Sequence, residues 1–134
     1  MNKLFITLLA VLLLLAGCGQ KNENFTLKEK SIKAEYKKIT PTEAMEMMGD
    51  DAIILDVRTK AEFDEGHIPN ALLIPDTEIT QKAEEVLPDK DQTILVYCRS
   101  GRRSALAAKE LIQLGYTNVY DFGGILDWSG EVVK

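Results

Sequence analysis

The chain has 134 residues and a formal net charge of −5, with 46% hydrophobic and 28% charged residues. This balance predicts one small globular domain and excludes a fully disordered or low-complexity chain. The acidic charge argues against a nucleic-acid partner, which would need a basic face. One histidine and two cysteines predict no metal site, because a zinc site usually takes four clustered ligands.

The N-terminus has the pattern of a secretory signal. Lys3 precedes an apolar run over residues 4–16, which as a helix would rise only about 20 Å, short of the roughly 30 Å of a membrane's hydrocarbon core. The run ends in LAGC at residues 15–18, a sequence that resembles the lipobox of bacterial lipoproteins. The resemblance implies a signal peptide over residues 1–17 and a lipid on Cys18 that anchors the chain to a membrane. An ordinary signal peptide followed by an incidental cysteine is the alternative.

The residues after Cys18 are polar and lack a core. We therefore expect a flexible tether over residues 18–35 and a globular domain over residues 36–134. A lipid-anchored domain would lie outside the cytoplasm, on the outer face of the cytoplasmic membrane or in the periplasm or cell envelope. With Cys18 acylated, Cys98 has no disulfide partner in the chain, so it is either a reactive thiol or a small buried hydrophobe.

The globular part alternates predicted helices and strands. Thr40 and Glu43 form a capping box with proline at the first helical position. From apolar runs and periodicity, the predicted elements are a helix over 41–48, a strand over 52–57, a helical segment over 60–65, a strand over 71–74, a helix over 77–87, a strand over 93–97, a helix over 104–114, and a strand over 118–122 before a turn around Trp128. This order predicts an α/β fold with a mostly parallel sheet.

Chemically distinctive sequences follow two of these strands, where ligand sites of parallel sheets lie. Asp56 and Arg58 follow the first strand, and CRSGRR at residues 98–103 follows the strand over 93–97. All four arginines of the chain stand in these two places. Arginine is a fixed, forked donor suited to oxyanions, so the cluster around Cys98 points to an anion site rather than to a solvated surface.

The loop after Cys98 can stabilise a thiolate. Its backbone N–H groups can form an anion nest, and the helix that we expect about six residues later adds its positive N-terminal end. Gly101 allows a positive φ where the turn needs it. A thiolate in an arginine-lined cup is a nucleophile that meets anionic substrates.

The segment at residues 98–103 resembles the active-site loop of rhodanese-family sulfurtransferases. The resemblance extends over about residues 38–134. It includes LDVR at 55–58, EF at 62–63, GHIPNA at 66–71 with Asn70 where glycine is usual, and GG at 123–124 with Trp128. It implies a rhodanese domain over residues 36–134, with a three-layer fold in which helices flank a central mostly parallel sheet.

The resemblance also implies a persulfide mechanism. The Cys98 thiolate takes the outer sulfur of a small anionic donor such as thiosulfate, and the sulfur then passes to a thiol or cyanide acceptor. The covalent persulfide is the intermediate, and no cofactor is implied. The backbone of the loop, including Gly101, would cradle the outer sulfur. The side chains expected to hold the donor are those of Arg99, Ser100, Arg102 and Arg103.

Two further residues have roles that the sequence leaves open. Arg58 either braces the loop or extends its positive rim, and Asp56 is expected to support the structure. His67, the only histidine, is expected to be structural rather than a general base. No metal, nucleotide or flavin motif is present, and no protein partner can be named.

The sequence is compared with three alternatives to a sulfurtransferase because each would use the same cysteine. In a phosphatase loop the arginine lies six positions after the cysteine, whereas here Arg103 lies five after Cys98 and Ser104 lies six after it. Tyr97 stands where phosphatases have a histidine before the cysteine. A non-catalytic carrier of sulfane sulfur or polysulfide could use the same fold. A thiol-redox module could oxidise Cys98, but it would need an external thiol to reduce it.

Overall fold

A computed structural model describes residues 34–49 and 51–134. The predicted signal peptide, Cys18 and most of the predicted tether lie outside the described residues. Among the residues that are described, no helix is long and apolar enough to cross a membrane.

The elements alternate as the sequence predicts. In chain order they are β1 Lys37–Lys38, α1 Pro41–Met47, β2 Ile53–Asp56, α2 Lys60–Glu65, β3 Leu72–Leu73, α3 Ile79–Val86, β4 Thr93–Cys98, α4 Arg102–Gln113 and β5 Asn118–Gly124. One-turn 3₁₀ helices over Asp76–Glu78 and Ile125–Asp127 precede α3 and follow β5. Only β1 was not predicted, because two exposed lysines carry no apolar signal.

The five strands form one sheet in the order β1-β5-β4-β2-β3. Every neighbouring pair is parallel, which confirms the predicted α/β class. The carboxyl ends of β2 and β4 lie side by side, since Asp56 pairs with Tyr97. Beyond a register shift, Cys98 pairs with Gly124 at the end of β5. The sheet thereby brings the two chemically distinctive sequences to one edge.

Side chains of β4 alternate between two hydrophobic layers. Ile94, Val96 and Cys98 pack with buried residues of α3 and α4, whereas Leu95 and Tyr97 pack with Ala44 of α1 and with residues near the chain's end. Because successive strand residues point to opposite faces, helices cover both sides of β4. This is the three-layer arrangement expected of a buried parallel sheet.

Helix α4 begins earlier than the sequence predicted. The prediction placed its start at Ser104, but the helix starts at Arg102, four residues after Cys98. The apolar periodicity used for the prediction starts only at Ala105, and the first turn contains two arginines that carry no such signal. Arg102 and Arg103 therefore lie on the first turn of α4, directly after the loop that follows Cys98.

Candidate active site

The loop after Cys98 turns tightly from β4 into α4. Gly101 is the N-cap of α4 and has φ 106°, in the left-handed region that favours glycine. This turn brings the Gly101 backbone N–H to 3.0 Å from the Cys98 Sγ, to which it donates a hydrogen bond. Cys98 is only 1% exposed. The thiol is therefore enclosed by the loop and lies directly before the positive N-terminal end of a 12-residue helix.

The last residue of β5, Gly124, packs against the backbone of the loop after Cys98. A Cβ on Gly124 would overlap the Arg99 carbonyl oxygen and lie 2.6 Å from the Cα of Ser100. The Leu126 backbone N–H donates to the same Arg99 oxygen at 3.3 Å. Only glycine permits this close approach of two backbones, which is a physical reason for the second glycine of the GG pair at 123–124.

Ser104 was not among the predicted site residues, yet its hydroxyl contacts the thiol. Its side chain is completely buried, and its Oγ lies 3.5 Å from the Cys98 Sγ. The same hydroxyl is within hydrogen-bond distance of the carbonyl oxygens of Gly101 (3.0 Å) and Gly123 (3.3 Å). One signal could have found it: Ser104 shares helical spacing with the buried residues Ala107, Ala108 and Leu111.

Arg103 is held by a carboxylate from another helix. Its Nη1 and Nη2 donate to the two carboxylate oxygens of Glu62 on α2 at 2.7 and 2.9 Å. These hydrogen bonds lower the pKa of Glu62 to about 2 and raise the pKa of Arg103. Glu62 also caps α2 through Thr59. The fork therefore ties the first turn of α4 to the first turn of α2.

Arg58 is also paired, and it is buried. Its Nη2 donates to Asp56 Oδ2 at 2.7 Å and to the Gly66 carbonyl at 2.7 Å, and its Nε donates to Asp56 Oδ1 at 3.0 Å. Arg58 is 5% exposed and Asp56 is fully buried. Although burial disfavours the charge, the hydrogen bonds and charge of Asp56 raise the pKa of Arg58. These bonds tie Arg58 to the end of β2 and to the turn after α2, and among the described residues no hydrogen bond joins its side chain to the loop after Cys98.

Arg99 and Arg102 differ from the paired arginines. Both are exposed, and neither side chain makes an ion pair or a hydrogen bond with any other described residue. Ser100 between them is also exposed. Because their guanidinium groups are not engaged by the described fold, these two arginines can form hydrogen bonds with an anion.

His67 lies in a structural contact, as expected. Its ring stacks on Phe63 with the centroids 3.7 Å apart, and its Nδ1 is 2.9 Å from the Phe63 carbonyl oxygen. Its backbone forms an antiparallel bridge with Val133. Nothing in these contacts brings the imidazole to the reactive thiol.

The site can hold a nucleophilic sulfur and attract an anion to it. The sulfur receives a backbone hydrogen bond, contacts a buried hydroxyl, and lies before a helix N-terminus. Arg99 in the loop and Arg102 at the start of the helix are exposed. Within residues 34–49 and 51–134 no group of three or more His, Cys, Asp or Glu side chains is arranged to hold a metal ion. The described surroundings of Cys98 are a helix N-terminus, a backbone N–H donor and a buried hydroxyl.

Comparisons with known proteins agree with this site. The rhodanese-like domain family matches residues 40–131. The chain is 36% identical over 80 residues to the thiosulfate sulfurtransferase PspE of Escherichia coli, covering 60% of this chain and 77% of that protein. It is 36% identical over 98 residues to the thiosulfate sulfurtransferase GlpE of Coxiella burnetii, covering 72% and 90% of the two chains.

A solved structure shows the same fold. The rhodanese-related protein of Thermoplasma volcanium superimposes with a TM-score of 0.65 at 35% identity, over 73% of this chain and 98% of its own. The family match, the relatives and the fold agree with the residues around Cys98. The chain belongs to the rhodanese family of sulfurtransferases.

Proposed function

We propose that the protein moves sulfane sulfur from thiosulfate, or a similar anionic donor, to a thiophilic acceptor through a persulfide on Cys98. One observation carries the proposal. The Sγ of Cys98 receives the Gly101 N–H hydrogen bond at 3.0 Å, at the N-terminal end of α4, with Arg99 and Arg102 unengaged by other described residues.

The first half-reaction loads the sulfur. The thiol of Cys98 loses its proton to solvent, and the thiolate attacks the outer sulfur of thiosulfate. A new S–S bond forms at Sγ while the bond between the outer sulfur and the sulfonate breaks, and sulfite leaves with the electron pair. Arg99 and Arg102 offset the negative charge of thiosulfate as it approaches and of sulfite as it leaves.

The second half-reaction delivers the sulfur. A nucleophilic acceptor, cyanide in the usual assay or a thiol, attacks the outer sulfur of the persulfide. The S–S bond breaks, and its electron pair returns to the Cys98 Sγ as a thiolate. The loop lowers the cost of that negative charge because the helix end and the Gly101 N–H are already oriented toward it.

The burial of Cys98 selects the shape of the donor. With only 1% of the residue exposed, a reacting atom must enter the loop to reach Sγ. A terminal sulfur brings a single atom to Sγ, whereas a protein disulfide carries bulky groups on both sides of its reacting sulfur. This geometry favours sulfane-sulfur donors over the alternative in which Cys98 exchanges disulfides with a protein.

Turnover tests the proposal directly. The full-length chain, purified in mild detergent because residues 4–16 are apolar, is incubated with thiosulfate and cyanide, and thiocyanate release is measured. We expect turnover by the wild type and by Cys18→Ser, a matched removal of the other cysteine, and none by Cys98→Ser. Equal turnover by all three would overturn the role of Cys98. Stoichiometric loading without repeated turnover would favour the carrier.

A second proposal concerns location. The apolar run over residues 4–16 and the LAGC sequence at 15–18 support a lipid on Cys18 that holds the domain at the outer face of a membrane. Labelling of expressing bacteria with a radioactive fatty acid should mark the wild-type protein and leave Cys18→Ala unlabelled. Equal labelling of the two would contradict the anchor.

A further inference from the structure

We propose that the hydroxyl of Ser104 is a further catalytic group, which donates a hydrogen bond to the Cys98 sulfur whenever that sulfur carries negative charge. Its part in sulfur transfer rests on the function proposed above. Its effect on the thiolate does not, and can be measured separately.

The contacts of Ser104 place one hydroxyl among three possible partners. Its Oγ lies 3.5 Å from the Cys98 Sγ, 3.0 Å from the Gly101 carbonyl oxygen and 3.3 Å from the Gly123 carbonyl oxygen. A hydroxyl has one proton to donate and two lone pairs to accept with. When Cys98 is a thiol, its S–H donates to Oγ and the serine O–H donates to a carbonyl. When Cys98 is a thiolate, the O–H can turn to the sulfur.

The fold makes that rotation inexpensive. The Gly101 carbonyl also accepts the Ala105 backbone N–H of α4 at 3.3 Å. It therefore keeps a donor when the serine hydroxyl turns away. An unsatisfied buried acceptor would otherwise oppose the change, so this second donor allows the hydroxyl to follow the charge on Cys98.

Few other donors can serve the sulfur. In the described part of the chain, the Gly101 N–H is the other group that forms a hydrogen bond with Sγ. Cys98 is 1% exposed, so protein groups rather than bulk water make most of the contacts to the sulfur. Ser104 thus supplies one of two direct hydrogen bonds to the thiolate, and its loss should be felt strongly.

The hydroxyl acts twice in the cycle without losing its proton. In loading, it stabilises the thiolate that attacks the donor after the thiol proton has gone to solvent. In delivery, the S–S electron pair returns to Sγ as the acceptor takes the outer sulfur, and the same hydrogen bond stabilises this leaving group. Ser104 forms no covalent bond in either step.

Charged groups on the surrounding elements also influence the sulfur, and they must stay unchanged in the test. From α4, Arg103 interacts with the charge of Cys98, and it is paired with Glu62 of α2. The negative charge of Asp76, in the turn before α3, helps to raise the pKa of Arg103. From β5, the Asp121 carboxylate accepts the Gly123 N–H at 3.0 Å. None of these groups is altered by substitution of Ser104.

The experiment compares Ser104→Ala with Ser104→Thr in the full-length chain carrying Cys18→Ser, so that Cys98 is the only thiol. The rate of alkylation by iodoacetamide is measured against pH, and the midpoint reports thiolate formation. Loss of a hydrogen bond to a charged group should move the midpoint of Ser104→Ala upward by about one pH unit. Ser104→Thr, which keeps a hydroxyl, should stay near the parent.

Turnover gives the second readout. Ser104→Ala should lower kcat for thiocyanate formation by roughly tenfold, with KM for thiosulfate little changed because Arg99 and Arg102 remain. A purely structural serine would lower thermal stability without moving the alkylation midpoint. A folded Ser104→Ala with the parent's midpoint would therefore overturn the proposal.

Two further results of this experiment still test the role of Ser104. If Ser104→Ala does not fold, Ser104→Gly removes the same hydroxyl and is measured in the same way, with the same expected shift. If the parent forms no persulfide, the proposed function fails, while the alkylation profiles still decide whether Ser104 stabilises the thiolate.

Discussion

The four arginines of the chain divide into two regions at the carboxyl edge of the sheet. Arg58 and Arg103, here termed the buttress arginines, are held by Asp56 and by Glu62. Arg99 and Arg102, the rim arginines, are exposed and make no ion pair within the described residues. The same type of side chain is thus paired in one region and, within the described residues, left unpaired in the other. The difference depends on whether the fold places a carboxylate beside the guanidinium group.

The largest effect on stability should come from substituting Arg58, the buried one of the two buttress arginines. Arg58→Leu leaves the Asp56 carboxylate buried without its partner, which should cost about 3–5 kcal/mol of unfolding free energy in urea titrations. Arg99→Leu, the matched change on the rim, should alter stability by less than about 0.5 kcal/mol. Equal losses would remove the distinction between the two regions.

The next effect should come from Gly124, which packs against the backbone of the loop after Cys98. Gly124→Ala would push a Cβ into the backbone at Arg99 and Ser100. Displacing the loop by about 1 Å should lower kcat/KM by roughly 100-fold. Gly49→Ala is the control, since nothing lies within 4 Å of a Cβ there, and it should retain parental turnover. Full activity of Gly124→Ala would show that the loop does not depend on this support.

A smaller effect is expected from the rim itself. Arg99→Ala and Arg102→Ala should each raise KM for thiosulfate by about tenfold, because each removes a charge-assisted hydrogen bond to the donor. Their unfolding midpoints should match the parent. Arg103→Ala should instead lose stability along with activity, because it also breaks the fork to Glu62. Rim variants with unchanged KM would place donor binding elsewhere.

The smallest effect is a pH dependence confined to the buttress. Arg103 lowers the pKa of Glu62 from 4.5 to about 2. A lowered carboxyl pKa stabilises the fold above the unfolded value and loses that contribution as pH falls through the folded value. The stability advantage of wild type over Glu62→Gln should therefore be constant above about pH 5 and disappear as pH falls from 4.5 toward 2. An advantage that persists at pH 2 would contradict this ion pair.

Features set by local sequence were predictable. The capping box of Thr40 and Glu43 starts α1 as expected, and the apolar run over 93–97 is buried in β4. The positive φ of Gly101 was expected from the turn after Cys98. Each of these depends on neighbours within a few residues along the chain, which is why the sequence reveals them.

Features set by distant partners were not predictable. Arg103 and Glu62 are 41 residues apart. The sequence therefore does not distinguish Arg103, which is paired, from the exposed Arg99 and Arg102. The hydrogen bond from Arg58 to the Gly66 carbonyl joins residues eight apart on either side of α2, which the sequence pattern does not reveal. The sequence predicts a helix that starts at Ser104 and so gives Ser104 no role in the site. In the structure α4 starts at Arg102, and Ser104 lies in its first turn with its hydroxyl in contact with the thiol. Single-sequence patterns do not report which residues meet across the sheet edge.

The most direct test of the central claim is the intact mass of the full-length protein after incubation with thiosulfate. The account predicts a gain of one sulfur, about 32 Da, in the wild type and in Cys18→Ser, reversed by cyanide, and no gain in Cys98→Ser. A folded wild-type protein that gains no sulfur from thiosulfate or from polysulfide would contradict persulfide chemistry at Cys98.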